Sequence, residues 1–82
     1  MYKQNLTFWG FDRITTDPRI LGGKACIRGM RVPVSIVLRM LAGGMTKEEI
    51  LADYPYIEAE DIDQCFEYAA LLADDRITST AR

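Results

Sequence analysis

The clearest hydrophobic periodicity in the chain begins directly after a proline and predicts a first helix that ends at Gly43-Gly44. The opposite side of this helix is also largely apolar, and only Ser35 and Arg39 form a polar stripe. Because a helix that is apolar nearly all round is buried on most sides, we expect a second subunit to cover part of it. The apolar positions follow the i, i+3, i+4, i+7 spacing of a helix face: Val34, Val37, Leu38 and Leu41.

Two further helices follow. Thr46 and Glu49 have the spacing of a capping box, which predicts a short helix that stops before Pro55. A last helix is predicted at about residues 59–75, and the carboxylates at its start favour the helix dipole. Its apolar stripe comprises Ile62, Cys65, Phe66, Ala69, Leu72 and Ala73, and the carboxylates are Glu58, Glu60, Asp61 and Asp63.

Residues 25–34 have the pattern of a tight β-hairpin before the first helix. Gly29 stands where a type II′ turn needs a positive φ at its first central residue. This register places Arg28 directly opposite Arg31, on the face that points away from the core. The core face then carries Ala25, Ile27, Val32 and Val34.

The chain of 82 residues has room for one small domain. We divide it into an N-terminal arm at residues 1–12, a single helical domain at 13–75 and a loose tail at 76–82. The aromatic residues of the arm are costly to leave in water, so we expect the arm to pack on the domain or on a second subunit. The expected contacts of a homodimer are Trp9, Phe11, Ile36, Met40, Tyr68 and Leu71.

The net charge of −2 conceals an uneven distribution. Residues 1–44 carry seven lysines and arginines against two aspartates, a local charge of +5. Residues 45–82 carry three basic residues against ten carboxylates, a local charge of −7. A basic half is therefore joined to an acidic half. The charges of each half are balanced either by a partner molecule or by the other half of the chain.

Several function classes are excluded by the composition. The chain has no histidine, which removes the commonest general base near neutral pH and the commonest metal ligand. Cys26 and Cys65 are too far apart for a C-x-x-C motif, and we expect two reduced, buried thiols. The longest apolar segment is too short for a membrane span, so we expect a cytoplasmic protein that does not contact a membrane.

The candidate catalytic and metal sites lack the residue spacing that their chemistry requires. Gly22-Gly23-Lys24 lacks the spacing and the hydroxyl residue of a phosphate-binding loop. The carboxylates at the start of the last helix lack the spacing and the glycine of a calcium loop, and a solvated helix start explains them. We therefore expect no catalytic residue, no metal, no cofactor and no enzymatic activity.

The two opposed arginines are the most informative charged feature, because like charges facing each other destabilise a hairpin. They are either solvated, or they hold an anion: a nucleic-acid phosphate, a partner's carboxylate or a carboxylate of the chain's own last helix. The last two helices have a helix-turn-helix outline, but an acidic helix start is repelled by DNA phosphates. The expected nucleic-acid or anion contacts are therefore Lys24, Arg28, Arg31 and Arg39.

One family resemblance covers about residues 13–75. The hairpin followed by a glycine-ended helix resembles the bacterial family of domains of unknown function numbered 433. The resemblance implies a three-helix, homeodomain-like fold with an N-terminal β-element, and for some members an antitoxin role beside a PIN-like nuclease toxin. This chain departs from the family pattern at Ala25, Met30 and Glu58. The matching segments include Ile14–Pro18, Gly23-Lys24, Ile27–Gly29, Arg31–Val34, Leu41–Gly44, Glu48–Leu51, Tyr54-Pro55 and Glu60–Ile62.

Together these features predict a mainly α domain, a three-helix bundle of helix-turn-helix type preceded by a short β-hairpin. The leading hypothesis is a non-enzymatic binding module, antitoxin-like or a small regulator, that forms a homodimer and uses its basic hairpin to contact nucleic acid or a protein. The alternative is a pure protein-interaction domain whose acidic helix covers a basic toxin.

Overall fold

The computed structural model describes the backbone of residues 6–8 and all of residues 10–74. Three helices follow a short antiparallel β-element, which confirms the predicted mainly helical architecture. The predicted positions of Trp9 and of the tail at 76–82 lie outside the described residues. In chain order the elements are β1 (Leu6–Phe8), β2 (Phe11–Thr16), a 3-10 turn (Leu21–Gly23), β3 (Cys26–Ile27), α1 (Val34–Ala42), α2 (Lys47–Asp53) and α3 (Ala59–Ala73).

The β-element is a three-stranded antiparallel sheet with β2 at its centre. Strand β1 pairs with β2, and β2 pairs with β3 through Ile14 opposite Ile27 and Thr15 opposite Cys26. The boundary drawn between arm and domain after residue 12 falls inside β2. The N-terminal residues 6–8 therefore extend the sheet of the domain.

The predicted hairpin is correct at its base and wrong at its tip. Cys26 pairs with Pro33, and the Val34 N–H donates to the Ala25 carbonyl at 2.9 Å, as the predicted register requires. The turn, however, has Arg28 and Gly29 at its centre, both with positive φ (45° and 74°). Arg28 is thus a turn residue and does not face Arg31 across the hairpin. A positive φ is costly for arginine, and the contacts of its side chain, described below, hold it there.

Helices α1 and α2 begin and end where their local signals predict. Helix α1 follows Pro33 and ends at Gly43. The Thr46 Oγ1 accepts the Glu49 N–H at 3.1 Å, and Glu49 Oε1 accepts the Thr46 N–H at 2.8 Å, which confirms the capping box. Helix α3 ends at Ala73, two residues before the predicted end.

The core lies where β2, α1, α2 and α3 meet. Its members come from every helix and from strands β2 and β3, so none of these elements can be removed without exposing apolar surface. The buried core residues are Ile14, Ile27, Val34, Val37, Ile50, Ile57, Ile62 and Cys65. Within the described parts of the chain, no helix has the length and apolar composition that a membrane crossing requires.

Candidate interaction surface

Asp61 is the centre of a buried charge cluster at the start of α3. Its side chain is fully buried, and two arginines approach it from the sheet side. Arg13 Nη1 donates to Asp61 Oδ1 at 3.0 Å, and Arg28 Nη2 donates to Oδ2 at 2.9 Å. The Glu58 N–H also donates to Oδ2, at 2.8 Å. We call Arg13, Arg28 and Asp61 the buried charge cluster.

The cluster holds the hairpin tip against α3. Arg28 donates to the Tyr56 carbonyl at 2.7 Å as well as to Asp61, and its own N–H donates to the Arg13 carbonyl at 2.9 Å. Burial by itself raises the pKa of Asp61, but hydrogen bonds from Arg28, from the Glu58 N–H and from Arg13 outweigh it and hold the pKa below its usual range. Asp61 is therefore ionised near neutral pH.

The predicted solvated helix start is wrong for one of its four carboxylates. Asp61 is buried, whereas Glu58, Glu60 and Asp63 are exposed, although Glu58 is paired with Arg13 at 2.6 Å and Asp63 with Lys47 at 2.7 Å. Among the alternatives for Arg28, the structure selects a carboxylate of the chain's own last helix. Arg28 is thus largely committed within the domain and is not a free cation on the surface.

The other three predicted anion contacts lie on the surface. Lys24, Arg31 and Arg39 are exposed, and none of them forms an ion pair with a residue in the described ranges. Lys24 lies two residues before Cys26, and Arg31 lies two residues before Pro33, the bridge partner of Cys26. Lys24 also lines a groove with Ser35, and Arg39 follows Ser35 by one turn of α1. We call Lys24, Arg31 and Arg39 the basic row.

A groove lies beside the basic row. It has a volume of about 250 Å³ and opens between the start of α1 and the end of α3. Its walls are apolar except at Lys24 and Ser35. The lining residues are Lys24, Ala25, Val34, Ser35, Leu38, Tyr68 and Leu72.

Among residues 10–74, the predicted oligomer contacts do not form one patch. The Phe11 and Tyr68 rings meet edge to face at 6.1 Å, so this aromatic residue of the arm packs on the domain, and Tyr68 also lines the groove. Ile36 is exposed and Met40 half-buried on α1, but neither lines the groove. Ile36 and the groove residue Leu38 differ by about 200° around the helix axis, which places them on opposite sides of α1. Leu71 is half-buried on α3.

Sequence reasoning singles out neither Arg13 nor Asp61, although both are central to the structure. One signal was present: Glu58 and Asp61 have the three-residue spacing at which an acidic side chain bonds back to the start of a helix. That spacing indicates a local cap and contains no information on the arginines, which are 48 and 33 residues away.

The cysteines are buried and unpaired, as predicted. Burial raises the pKa of Cys65 to about 12, and burial also raises the pKa of Cys26. Both thiols therefore stay protonated near neutral pH and are poor nucleophiles. Within the part of the chain that the structure describes, no three cysteine or carboxylate side chains converge as a metal site would need.

The comparisons with known proteins define a family of small domains and agree with the resemblance seen in the sequence. The model of the family named Protein of unknown function (DUF433) matches residues 14–69, and this chain belongs to that family. The uncharacterised protein y4eO of Sinorhizobium fredii (strain NBRC 101917 / NGR234) is 41% identical over 56 residues, which are 68% of this chain and 25% of that protein. The chain thus spans about a quarter of the length of this relative.

A solved structure shares the fold. The crystal structure of a DUF433 member protein from Anabaena variabilis ATCC 29413 superposes with a TM-score of 0.70 at 30% identity. The match covers 84% of this chain and 67% of that one. The arrangement of a small antiparallel β-element and three helices is therefore shared with this relative.

Proposed function

We propose that this domain is a non-enzymatic protein-binding module and that the groove between α1 and α3 is its binding surface. The groove is the single observation that carries the proposal: an apolar concavity of about 250 Å³ at the junction of two helices, with a cation at its edge. Apolar grooves between helices receive the side chains of partner segments, because each buried side chain is removed from water. The absence of histidine from the chain also supports a binding role over acid–base catalysis.

The experiment is a comparison of two leucine variants with equal exposure. Leu72 lines the groove and Leu21 lies outside it, and both side chains are 39% exposed. We expect Leu72→Glu to weaken every protein association of the chain, whether self-association or co-purification with the products of adjacent genes, and Leu21→Glu to leave it unchanged. Equal behaviour of the two variants would contradict the proposal. Circular dichroism verifies that both variants fold.

An antitoxin-like role adds a second contact surface to this proposal. The partner would then be a PIN-like nuclease toxin, whose basic nucleic-acid-binding surface complements the exposed carboxylates of α2 and α3. Those carboxylates include Glu48, Glu60, Asp63 and Glu67. Stable co-purification with an adjacent PIN-like product, together with inhibition of its nuclease activity, is the expected result. Undiminished nuclease activity in the complex would exclude this form.

Nucleic-acid binding is the second candidate function, and the basic row favours it. In a helix-turn-helix mode, the start of α3 would enter the major groove, where Glu60 and Asp63 would repel phosphates. The basic row instead presents three cations without ion pairs to described residues. A homeodomain-like docking geometry is therefore less favoured than a contact through the hairpin and α1.

Fluorescence anisotropy with a labelled DNA duplex at low salt tests this second candidate. Replacing Lys24, Arg31 and Arg39 together by alanine should abolish binding, and the parent should show a slope of about −2.7 in log affinity against log salt if three phosphates are neutralised. Arg19→Ala is the control, because Arg19 is exposed but already paired with Asp17 at 3.0 Å. Absence of binding by the parent would remove this candidate.

A further inference from the structure

Phe66 is an exposed aromatic side chain that is not part of the hydrophobic core of its own chain. Half of its surface (50%) is accessible on α3. Asp63 lies one turn before it and Glu67 follows it directly. Asp63 accepts a hydrogen bond from Lys47 at 2.7 Å, whereas Glu67 forms no ion pair within residues 10–74. We call Phe66 with Glu67 the acidic knob.

The groove has the complementary properties. Its walls are apolar, and the cations Lys24 and Arg39 lie at its edge and one turn along α1. Neither cation is paired with a described residue. An apolar side chain would pack against the walls, and a carboxylate beside it would pair with the cations. Opposite charges at an interface suppress wrong partners and fix its register.

The acidic knob cannot fill the groove of its own chain. Phe66 and the groove residue Tyr68 are two positions apart on α3, which is a rotation of about 200° around the helix. They therefore point to opposite sides of α3. Any contact between knob and groove must join two molecules.

Other exposed apolar side chains of the described residues fit the groove less well. Leu21 lies three residues from Lys24, in a basic neighbourhood that the groove edge would repel. Ile36 is carried by α1, which contains no carboxylate. The Tyr56 ring already packs edge to face against Tyr54 at 6.1 Å. Phe66 alone among these side chains combines a free aromatic face with an adjacent unpaired carboxylate.

We propose that the groove of one copy of this chain receives Phe66 of a second copy, with Glu67 of the second copy beside Lys24 and Arg39 of the first. This inference rests on the proposed function, since it names a second copy as the protein that the groove binds. Each copy carries one groove and one knob on opposite sides of α3, so the contact is head-to-tail, and successive copies extend a chain or close a ring. The basic and acidic halves of the sequence then meet between copies.

Sedimentation velocity over a concentration series tests the contact. We expect the parent to self-associate at micromolar concentration and Phe66→Ala to raise the dissociation constant of the contact about five- to tenfold, from the burial of a half-exposed aromatic side chain. Phe66→Glu and Leu72→Glu should each be monomeric. Tyr56→Ala is the matched control for the first position, because Tyr56 has the same 50% exposure, and Leu21→Glu is the control for the second.

Mixing the two monomeric variants gives the sharpest result. Phe66→Glu retains an intact groove and Leu72→Glu retains an intact knob, so an equimolar mixture should form heterodimers although neither variant dimerises alone. A charge exchange is the second arm: Lys24→Glu should weaken self-association, and mixing it with Glu67→Lys should strengthen association relative to either variant by itself. Thermal melts verify that every variant is folded.

The outcomes separate this inference from the function on which it rests. A monomeric parent, or self-association that Phe66→Glu leaves intact, overturns the proposed contact. If Leu72→Glu nevertheless abolishes co-purification with another protein, the groove remains a binding surface with a different occupant. If Leu72→Glu changes neither association, both proposals fail.

Discussion

The buried charge cluster makes Asp61→Asn the most informative stability variant. The substitution keeps the size of the side chain and a carbonyl oxygen that can still accept the Glu58 N–H. It removes the negative charge that faces Arg13 at 3.0 Å and Arg28 at 2.9 Å. Arg28 then loses its charge-assisted hydrogen bonds to the carboxylate and Arg13 keeps only the one to Glu58 at 2.6 Å, while the conformation of the hairpin tip still depends on Arg28.

The magnitude follows from the burial of the three groups. Removing one partner of a fully buried ion pair costs about 3–5 kcal/mol, because the other charge stays buried without a partner. Here the side chains of Arg13 and Arg28 keep 25% and 33% exposure and can regain water, while Asp61 has none. We therefore expect a loss of about 2–3 kcal/mol in the free energy of unfolding. For a domain of this size, that loss lowers Tm by roughly 10–20 °C.

Urea and thermal unfolding followed by circular dichroism measure this loss. Asp63→Asn is the matched control, since Asp63 is two residues away on the same helix and is paired with Lys47 on the surface, with 58% of its side chain exposed. The control should change stability far less, because solvent screens an exposed pair. If the free energies of unfolding of the Asp61 and Asp63 variants differ by less than about 0.5 kcal/mol, the cluster does not hold the hairpin to α3.

Three further predictions concern pH, capping and thiol chemistry. The pKa values of Asp61 and Asp17 are lowered in the folded chain, so the unfolded chain binds more protons in acid. The free energy of unfolding should therefore fall as the pH drops below about 3.9, the pKa of an aspartate in the unfolded chain. Urea titrations at several pH values should show a less steep fall in Asp61→Asn. Thr46→Ala should lower the free energy of unfolding by about 1 kcal/mol because the α2 cap is lost, whereas Thr46→Ser should retain most of the capping stabilisation. Equal urea midpoints of the two variants would contradict the capping role. Cys65, with its pKa near 12, should resist iodoacetamide at pH 8 until urea unfolds the chain, and rapid labelling of the native protein in mass spectrometry would show that the thiol is accessible.

The sequence by itself determines the helices of this protein. The apolar spacing after Pro33, the Thr46–Glu49 box and the glycines after α1 are signals read within a few residues, and each depends on backbone groups of its own element. The base of the hairpin is equally local, because alternation and the position of Gly29 restrict the pairing. These elements therefore lie close to the predicted residues.

Only the tertiary structure decides what the charged residues do. The sequence shows a basic half and an acidic half, and leaves open whether they face solvent, a partner or each other. Folding brings Arg13 and Arg28 to Asp61, from which they are separated by 48 and 33 residues in the sequence. A pattern that spans a few residues cannot indicate contacts over such separations. The turn at Arg28 changes for the same reason: its positive φ is a local cost that the long-range ion pair offsets. The groove likewise exists only where α1 and α3 pack, so its partner could not be read from either helix alone.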